Sequence, residues 1–253
     1  AGIDVGSISA KAVIMQDHSI VSQAMEPTGW SPRDAGRSVF HKALMKANLT
    51  SDEIVGIVGT GYGRVSLDFI HQAVTEIPCH ALGANFWFPR YALVIDIGGQ
   101  DSKAIQIDPK GKVLNFAMND KCAAGTGRFL QVMAYSMGLE LDQMQELDLA
   151  EPANINSMCT VFAESEVVSL LASGVSKEKI VAGLYHSIAR RIASMLGSFG
   201  AYSNIVFTGG VARNKGMQAV MEKVLGVPVE VPEEPQMIGA LGAALAAQKS
   251  VMK

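Results

Sequence analysis

The chain has 253 residues, 49% hydrophobic and only 18% charged, with a net charge of −3. That composition excludes a disordered chain and allows one large core or two of ordinary size. The charge gives no electrostatic footprint for nucleic acid or an anionic membrane, and no basic stretch leading into an apolar run opens the chain as a secretion signal would.

In chain order, strands are expected near Ala1–Val5, Lys11–Gln16 and Ser19–Met25. A helix follows Ser31-Pro32-Arg33-Asp34, which supplies an N-cap, a proline at the first helical position and an acidic third one. Strand Ile54–Val58 leads to the glycine-rich turn Thr60-Gly61-Tyr62-Gly63-Arg64, with helical segments over Val65–Ala73 and Pro78–Phe88. The strand pattern then returns at Leu93–Ile97, Ser102–Ile107 and Val113–Met118, with Asp108-Pro109-Lys110-Gly111 as a turn. Helices are expected at Gly125–Met137, Leu141–Leu147, Val161–Ala172 and Lys177–Leu196. Strand Asn204–Thr208, helix Lys215–Leu225, strand Val229–Val231 and helix Gln236–Gln248 complete the chain. The last helix lies in the longest apolar run, Met237–Ala247, which is too short to span a bilayer. Its Gly239, Ala240, Gly242, Ala243 and Ala244 predict a backbone-close neighbour. Ala1 falls in or beside the first strand without a preceding Met, so a few native residues are expected upstream. Three cysteines, an odd number, argue against a disulfide framework and for a reducing compartment, the cytoplasm.

One motif occurs twice. Ile3-Asp4-Val5-Gly6-Ser7 runs on to Lys11-Ala12-Val13-Ile14, and Ile95-Asp96-Ile97-Gly98-Gly99 runs on to Lys103-Ala104-Ile105. Each copy reads as a strand, a tight glycine turn and a second strand. Glycine lets the backbone approach phosphate oxygens, Lys11 can neutralise them, and Asp4 and Asp96 can hold Mg²⁺ through water. Gly6, Ser7, Gly98, Gly99, Gln100 and Asp101 are therefore candidate nucleotide-binding residues. A third element, Phe207-Thr208-Gly209-Gly210-Val211-Ala212-Arg213-Asn214, reads as a strand, a Gly-Gly turn and a helix start. Such a turn lets a flat adenosine lie against backbone and adds Thr208, Gly209, Gly210 and Asn214 to the candidates. An ordinary hairpin or βα turn is the plain alternative for each element by itself.

These three motifs in this order resemble the superfamily of actin, the heat-shock chaperone ATPases and the sugar kinases. The resemblance implies an α/β protein of two ribonuclease-H-like lobes with ATP or ADP in the interlobe cleft. The first lobe is expected over 1–91, rejoined by the C-terminal helix 236–250, and the second over 92–235.

Cys122 lies in Asn119-Asp120-Lys121-Cys122-Ala123-Ala124-Gly125-Thr126-Gly127-Arg128-Phe129, and Cys159 in Met158-Cys159-Thr160-Val161-Phe162-Ala163-Glu164-Ser165-Glu166. Each precedes an expected helix, whose N-terminus favours thiolate. From spacing alone, two buried free cysteines are the commoner reading. The surrounding residues, with Thr60-Gly61-Tyr62-Gly63-Arg64, Asp96 to Asp101 and Thr208 to Val211, resemble the activator components of 2-hydroxyacyl-CoA dehydratases (archerase type), relatives of the ATPase subunits of benzoyl-CoA reductases. That resemblance implies an ATPase that passes one electron to a separate dehydratase or reductase. It implies a homodimer holding one 4Fe–4S cluster through Cys122 and Cys159 of each protomer, with ferredoxin or flavodoxin as donor, and no nucleic-acid or membrane partner. Asp4, Asp101 and Glu164 are the expected catalytic residues, Glu164 because superfamily members often carry an acidic or amide group on the equivalent connecting helix. Ile8 departs from the family's usual threonine and removes a hydroxyl contact to phosphate. An amino-sugar-type small-molecule kinase and a non-catalytic ATP-dependent switch are the competing readings. Neither requires Cys122 or Cys159. Cys79, in Pro78-Cys79-His80, lacks further ligands at metal spacing and is expected to be a core residue.

Overall fold

The computed structural model describes residues 1–145, 147, 151–157 and 159–251. The chain forms two compact units: Ala1–Val94 with Ile105–Asn115 and Pro232–Lys253, and Ile95–Ala104 with Phe116–Val231.

The first sheet contains β1 (Gly2–Val5), β2 (Ser9–Gln16), β3 (Ser19–Pro27), β4 (Val58–Thr60) and β5 (Gln72–Ala73). Its order is β3-β2-β1-β4-β5, with β1, β2 and β3 antiparallel and β4 and β5 parallel additions. Helices α1 (Pro32–Ala47) and α2 (Glu76–Trp87) follow in the chain. The Ser31 hydroxyl accepts the Asp34 N–H at the start of α1, and Asn48, at φ +53°, ends it in a left-handed cap.

The second sheet contains β6 (Leu93–Ile97), β7 (Ser102–Ile107), β8 (Val113–Asn119), β9 (Ile205–Thr208) and β10 (Val229–Glu230), in the order β10-β9-β6-β7-β8. Read from the other edge, this is the arrangement of the first sheet: third, second, first, fourth and fifth strand of each set. The remaining helices are α3 (Gly127–Ser136), α4 (Thr160–Ala172), α5 (Lys177–Met195), α6 (Lys215–Leu225) and α7 (Ile238–Val251).

Side-chain alternation along β1 places its one charged residue. Ile3 and Val5 enter the core with Ala35, Val39 and Phe40 of α1. Gly2 and Asp4 point the other way, toward α7. There, Gly2 lies under the backbone of Ala240 and Ala244, and Gly242 lies against the Cys79 carbonyl of α2. The small residues of α7 thus do what their composition predicts: they admit neighbouring backbone at distances a Cβ would forbid.

Three expected segments differ from the sequence reading. Ile54–Val58 is not one strand, because Thr50 and Glu53 form a capping box around a 3₁₀ turn at Ser51–Glu53, and β4 begins only at Val58. Val65–Ala73 is not helical. Tyr62–Ser66 is a 3₁₀ turn, and Gln72 and Ala73 pair with Val58 and Gly59 instead. Leu141–Leu147 contributes a 3₁₀ turn at Asp142–Gln145, and Glu146 lies outside the described residues.

Candidate functional site

The first hairpin turns at Gly6-Ser7-Ile8. The Gly6 N–H donates to the Ser9 carbonyl at 3.1 Å, while Thr28 donates its hydroxyl to the Gly6 carbonyl at 2.7 Å and its N–H to the Ile8 carbonyl at 2.9 Å. Ser7 sits on this turn and is half-buried. Asp4 is the direct cross-strand partner of Lys11, whose Nζ stands 3.4 Å from Asp4 Oδ2. Glycine surrounds the carboxylate. A Cβ on Gly239 would meet Asp4 Oδ2 at 2.8 Å and His80 Nε2 at 3.2 Å, and one on Gly61 would collide with Asp4 Oδ1. Asp4 and His80 are both buried.

The second hairpin turns at Gly98-Gly99-Gln100-Asp101, closed by Gly98 N–H to the Asp101 carbonyl at 2.9 Å. Lys103 is 2% exposed and bridges two carboxylates, Asp96 Oδ2 at 3.3 Å and Asp101 Oδ2 at 2.7 Å. The Thr208 hydroxyl donates to Asp96 Oδ1 at 2.8 Å. Gly209 follows at φ +89°, where an L side chain is strained, and a Cβ there would run into the Ile97 carbonyl. Gly61 has the same place in the first unit: it follows Thr60 at φ +86° and presses on the Val5 carbonyl. Thr60-Gly61 and Thr208-Gly209 are therefore one element in two copies, each ended by a 3₁₀ turn containing an arginine, Arg64 or Arg213.

The structure thus brings Asp96, Asp101, Thr208 and Gly209 together, with Gly98, Gly99 and Gln100 on the adjoining turn and Gly210 opening the 3₁₀ turn. Asn214 is committed elsewhere. Its Oδ1 caps α6 by accepting the Met217 N–H at 2.8 Å, and its Nδ2 donates to the Tyr185 hydroxyl at 2.7 Å. Burial pushes the Tyr185 phenol up to about 12.

The second hairpin also begins a helix. The Gly98 and Gly99 carbonyls accept the N–H groups of Gly127 and Arg128, both at 2.9 Å. These are the first two residues of α3, so the turn supplies partners that an isolated helix start lacks. In a trans peptide the C=O and N–H point in opposite directions. With their carbonyls turned to α3, these peptide units direct the Gly99 and Gln100 N–H groups away from it.

Cys122 is half-buried in the loop before α3 rather than at its first turn. The Asn119 amide holds this loop by donating to the Cys122 carbonyl at 2.8 Å and to the Ala124 carbonyl at 3.3 Å. Cys159 is exposed and is the N-cap residue of α4, yet its side chain makes no capping bond. Cys79 is fully buried, and burial pushes its thiol up to about 12 against a smaller opposing effect of the Thr60 hydroxyl. Glu164 accepts from the Ser136 hydroxyl at 3.0 Å, which joins α4 to the end of α3; this bond goes to no hairpin residue. Glu166 accepts the N–H groups of Asn156 at 3.1 Å and Ser157 at 3.0 Å. Burial opposes its charge, but the Ser157 and Asn156 N–H groups outweigh this and hold the carboxyl below its ordinary range.

Among the described residues, no group of three or more His, Cys, Asp or Glu side chains is placed to hold a metal ion within one chain. The donor sets nonetheless fit two different groups. Asp4 and Asp96 offer hard oxygens beside glycine turns, which suit hydrated Mg²⁺. Cys122 and Cys159 offer two accessible thiols in one unit, half of the four that an iron–sulfur cluster takes. No helix among the described residues is long and apolar enough to cross a membrane.

Known proteins are similar to this chain over its whole length. The activator of lactoyl-CoA dehydratase from Anaerotignum propionicum is 46% identical over 255 residues, covering 100% of this chain and 98% of that protein. The crystal structure of component A of (R)-2-hydroxyglutaryl-CoA dehydratase from Acidaminococcus fermentans matches with a TM-score of 0.95 and 41% identity, covering 100% of this chain and 98% of that one. The activator of 2-hydroxyisocaproyl-CoA dehydratase from Clostridium difficile, solved with bound ADPNP, matches with a TM-score of 0.91 and 41% identity over 99% of this chain and 94% of that one. A ROK family glucokinase from Streptomyces griseus, 15% identical with a TM-score of 0.60 over 98% of both chains, shares the fold. Two sheets of one topology, the paired Asp–Gly–Lys hairpins and a family match over residues 1–247 lead to one conclusion: the chain belongs to the BadF/BadG/BcrA/BcrD ATPase family.

Proposed function

We propose that this chain is an ATP-hydrolysing activator that delivers one electron to a 2-hydroxyacyl-CoA dehydratase or a related acyl-CoA reductase. In this reading it works in the cytoplasm as a homodimer, with ferredoxin or flavodoxin as donor, and Cys122 and Cys159 of both protomers hold one 4Fe–4S cluster. When bound, that cluster supplies one-electron chemistry at low potential.

The observation that carries the reading is the bonding of Gly98 and Gly99 to Gly127 and Arg128. Two peptide units of the hairpin can face a phosphate with their N–H groups while their carbonyls hold the helix that follows Cys122. Hydrogen bonds at the two ends of one peptide unit polarise each other, so phosphate contact on one side strengthens the helix start on the other. Glu164 then joins α3 to α4, the helix that Cys159 begins.

The chain's own residues divide the remaining work. Lys11, Ser7 and the N–H groups of Gly99 and Gln100 bind phosphate oxygens, on turns that Gly6 and Gly98 close with their own N–H groups. Asp4 and Asp96 hold Mg²⁺ through its waters. Asp4 and Asp101, fixed by Lys11 and Lys103, orient the attacking water, with Glu164 as the third acidic group. Thr208, Gly209 and Gly210 provide the turn against which adenosine lies, and the Asn214 N–H, donating to the Val211 carbonyl at 3.1 Å, closes the 3₁₀ turn that follows. Val161 and Phe162, exposed two and three residues after Cys159, and Tyr135 on α3 give the cysteine segment an apolar border that suits burial against a second protomer.

The test is anaerobic purification with determination of iron and acid-labile sulfide. About four of each per dimer, lost on Cys122→Ser or Cys159→Ser, is the expected result for four-thiolate ligation. Absence of iron after reconstitution, with ATPase activity indifferent to both substitutions, would overturn the reading in favour of a kinase or a nucleotide switch.

A further inference from the structure

The family reading assigns no task to Glu166. It lies seven residues beyond Cys159, two helical turns along α4 and on the same face. Helical side chains lean toward the N-terminus, so a long carboxylate at this position reaches back over the helix start. It does so here. One oxygen accepts the Asn156 N–H at 3.1 Å, and the other accepts the Ser157 N–H at 3.0 Å and lies 3.3 Å from the Asn156 nitrogen.

Among the described residues, the other hydrogen-bonded anchors of the segment leading to Cys159 lie further upstream and go to α5. The Ala153 N–H donates to the Lys179 carbonyl at 2.8 Å, Arg190 Nη2 donates to the Ile155 carbonyl at 3.2 Å, and Ile155 is buried. Ala153 presses its carbonyl against Gly183, where a Cβ would forbid the approach. These contacts end at residue 155. Cys159 contributes no capping bond of its own. Glu166 therefore supplies the last described anchor before the cysteine, and its charge puts both bonds in the stronger, charge-assisted class.

We infer that Glu166 is the positioning residue for Cys159: by clamping the Asn156 and Ser157 amides it fixes the direction from which the Cys159 thiol is presented. The inference rests on the reading of Cys159 as a cluster ligand. A glutamate that merely stabilised the fold would act on the unit as a whole. A positioning residue acts on Cys159 and leaves Cys122 unchanged.

The experiment uses the full-length chain with Glu166→Ala and Glu166→Gln. A nitroxide label is placed on Cys159 in a Cys122→Ser background, or on Cys122 in a Cys159→Ser background; Cys79 is fully buried and stays unlabelled. The expected result is a sharpened, more mobile line shape at Cys159 in Glu166→Ala, partial recovery in Glu166→Gln, which keeps one acceptor oxygen, and no change at Cys122. In protein loaded with iron under anaerobic conditions, release of iron to a chelator should be about tenfold faster in Glu166→Ala, the order expected for lost hydrogen bonds to a charged group. Unchanged mobility at Cys159, or equal mobilisation at both cysteines, would overturn the inference. Should the unsubstituted protein bind no iron, the cluster reading fails, while the label at Cys159 still decides whether Glu166 positions that residue.

Discussion

At Asp4 a single lysine faces a single carboxylate at 3.4 Å, and the two side chains keep 12% and 9% exposure. At Asp96 a lysine with 2% side-chain exposure joins two carboxylates, and a threonine hydroxyl adds a further bond. The two hairpins descend from one pattern and occupy the same place in two sheets of the same strand order. Thr28 anchors the turn of the first, and glycines without a Cβ stand directly against its carboxylate. The second is held from three sides, and its outer carbonyls start a helix. A duplicated motif has thus been finished differently: the second copy carries more bonds around its aspartate than the first, and its turn carbonyls also begin α3.

The largest expected effect breaks the second copy. Lys103→Ala removes the cation shared by Asp96 and Asp101, and loss of one partner from a buried ionic group costs roughly 3–5 kcal/mol. Denaturant unfolding should show that loss. Lys11→Ala, where the lysine faces one carboxylate at the longer distance of 3.4 Å, should cost less than Lys103→Ala. Equal losses would mean that the two hairpins are not differently built.

Next come the two left-handed glycines. Gly61→Ala and Gly209→Ala each place a side chain at a φ near +90° and against a strand carbonyl. Each should cost at least ~1–2 kcal/mol from backbone conformation alone. Gly209→Ala should also weaken ADP binding in calorimetric titration. If Gly209→Ala binds ADP as the unsubstituted protein does, the adenosine turn is misassigned.

Gly239→Ala sharpens the comparison from the side of the first copy. Its Cβ would stand 2.8 Å from Asp4 Oδ2, so the carboxylate must shift by a few tenths of an ångström. The expected outcome is a fall in ATP turnover of about tenfold, the scale of a displaced catalytic group, with the second hairpin and the fold intact. Unchanged turnover would remove Asp4 from the catalytic set.

The smallest effect concerns pH. Burial pushes Cys79 and Tyr185 up to about 12 from ordinary values of 9.0 and 10.0. Their neutral forms are favoured in the folded protein. The stability they contribute is therefore fully present below pH 9 and is lost as pH rises from there toward about 12. Cys79→Ala should flatten the alkaline limb of the stability profile for the first unit, and Tyr185→Phe that for the second. A profile insensitive to both substitutions would contradict the burial argument.

Much of this architecture was legible because it lies in short-range patterns. The repeated Asp–Gly–Lys spacing located both hairpins, and the small residues of the last helix announced a backbone-close neighbour, which the structure shows to be β1 and α2. What escaped the sequence depends on partners distant in the chain. The equivalence of Thr60-Gly61 with Thr208-Gly209 was present as a Thr-Gly pair followed by an arginine. It became recognisable only when both glycines were seen pressed on the residue after an aspartate. The apolar stretch Val65–Ala73 suggested a helix, yet Gln72 and Ala73 were recruited by β4, a tertiary pairing that outweighs local propensity. Thr50 and Glu53 did carry a capping-box signal that marks Ile54 as the end of a turn rather than a strand start. The bond by which Glu164 accepts from Ser136 and ties α4 to α3 was not legible in the sequence, because its partner lies 28 residues away. Glu166, two residues on, carries the clamp that no spacing rule reveals, because its partners are backbone amides.

In the proposed function, the second hairpin passes nucleotide state to the cysteine segment through Gly98, Gly99 and the first turn of α3. The most direct test is the rate of iron release to a chelator from anaerobically loaded protein, measured with MgADP and with a non-hydrolysable ATP analogue. The account predicts rates that differ between the two nucleotides. It also predicts that Gly127→Ala, whose Cβ would lie 3.2 Å from the Gly98 carbonyl oxygen, narrows that difference. Identical rates with both nucleotides, at saturation of each, would contradict it.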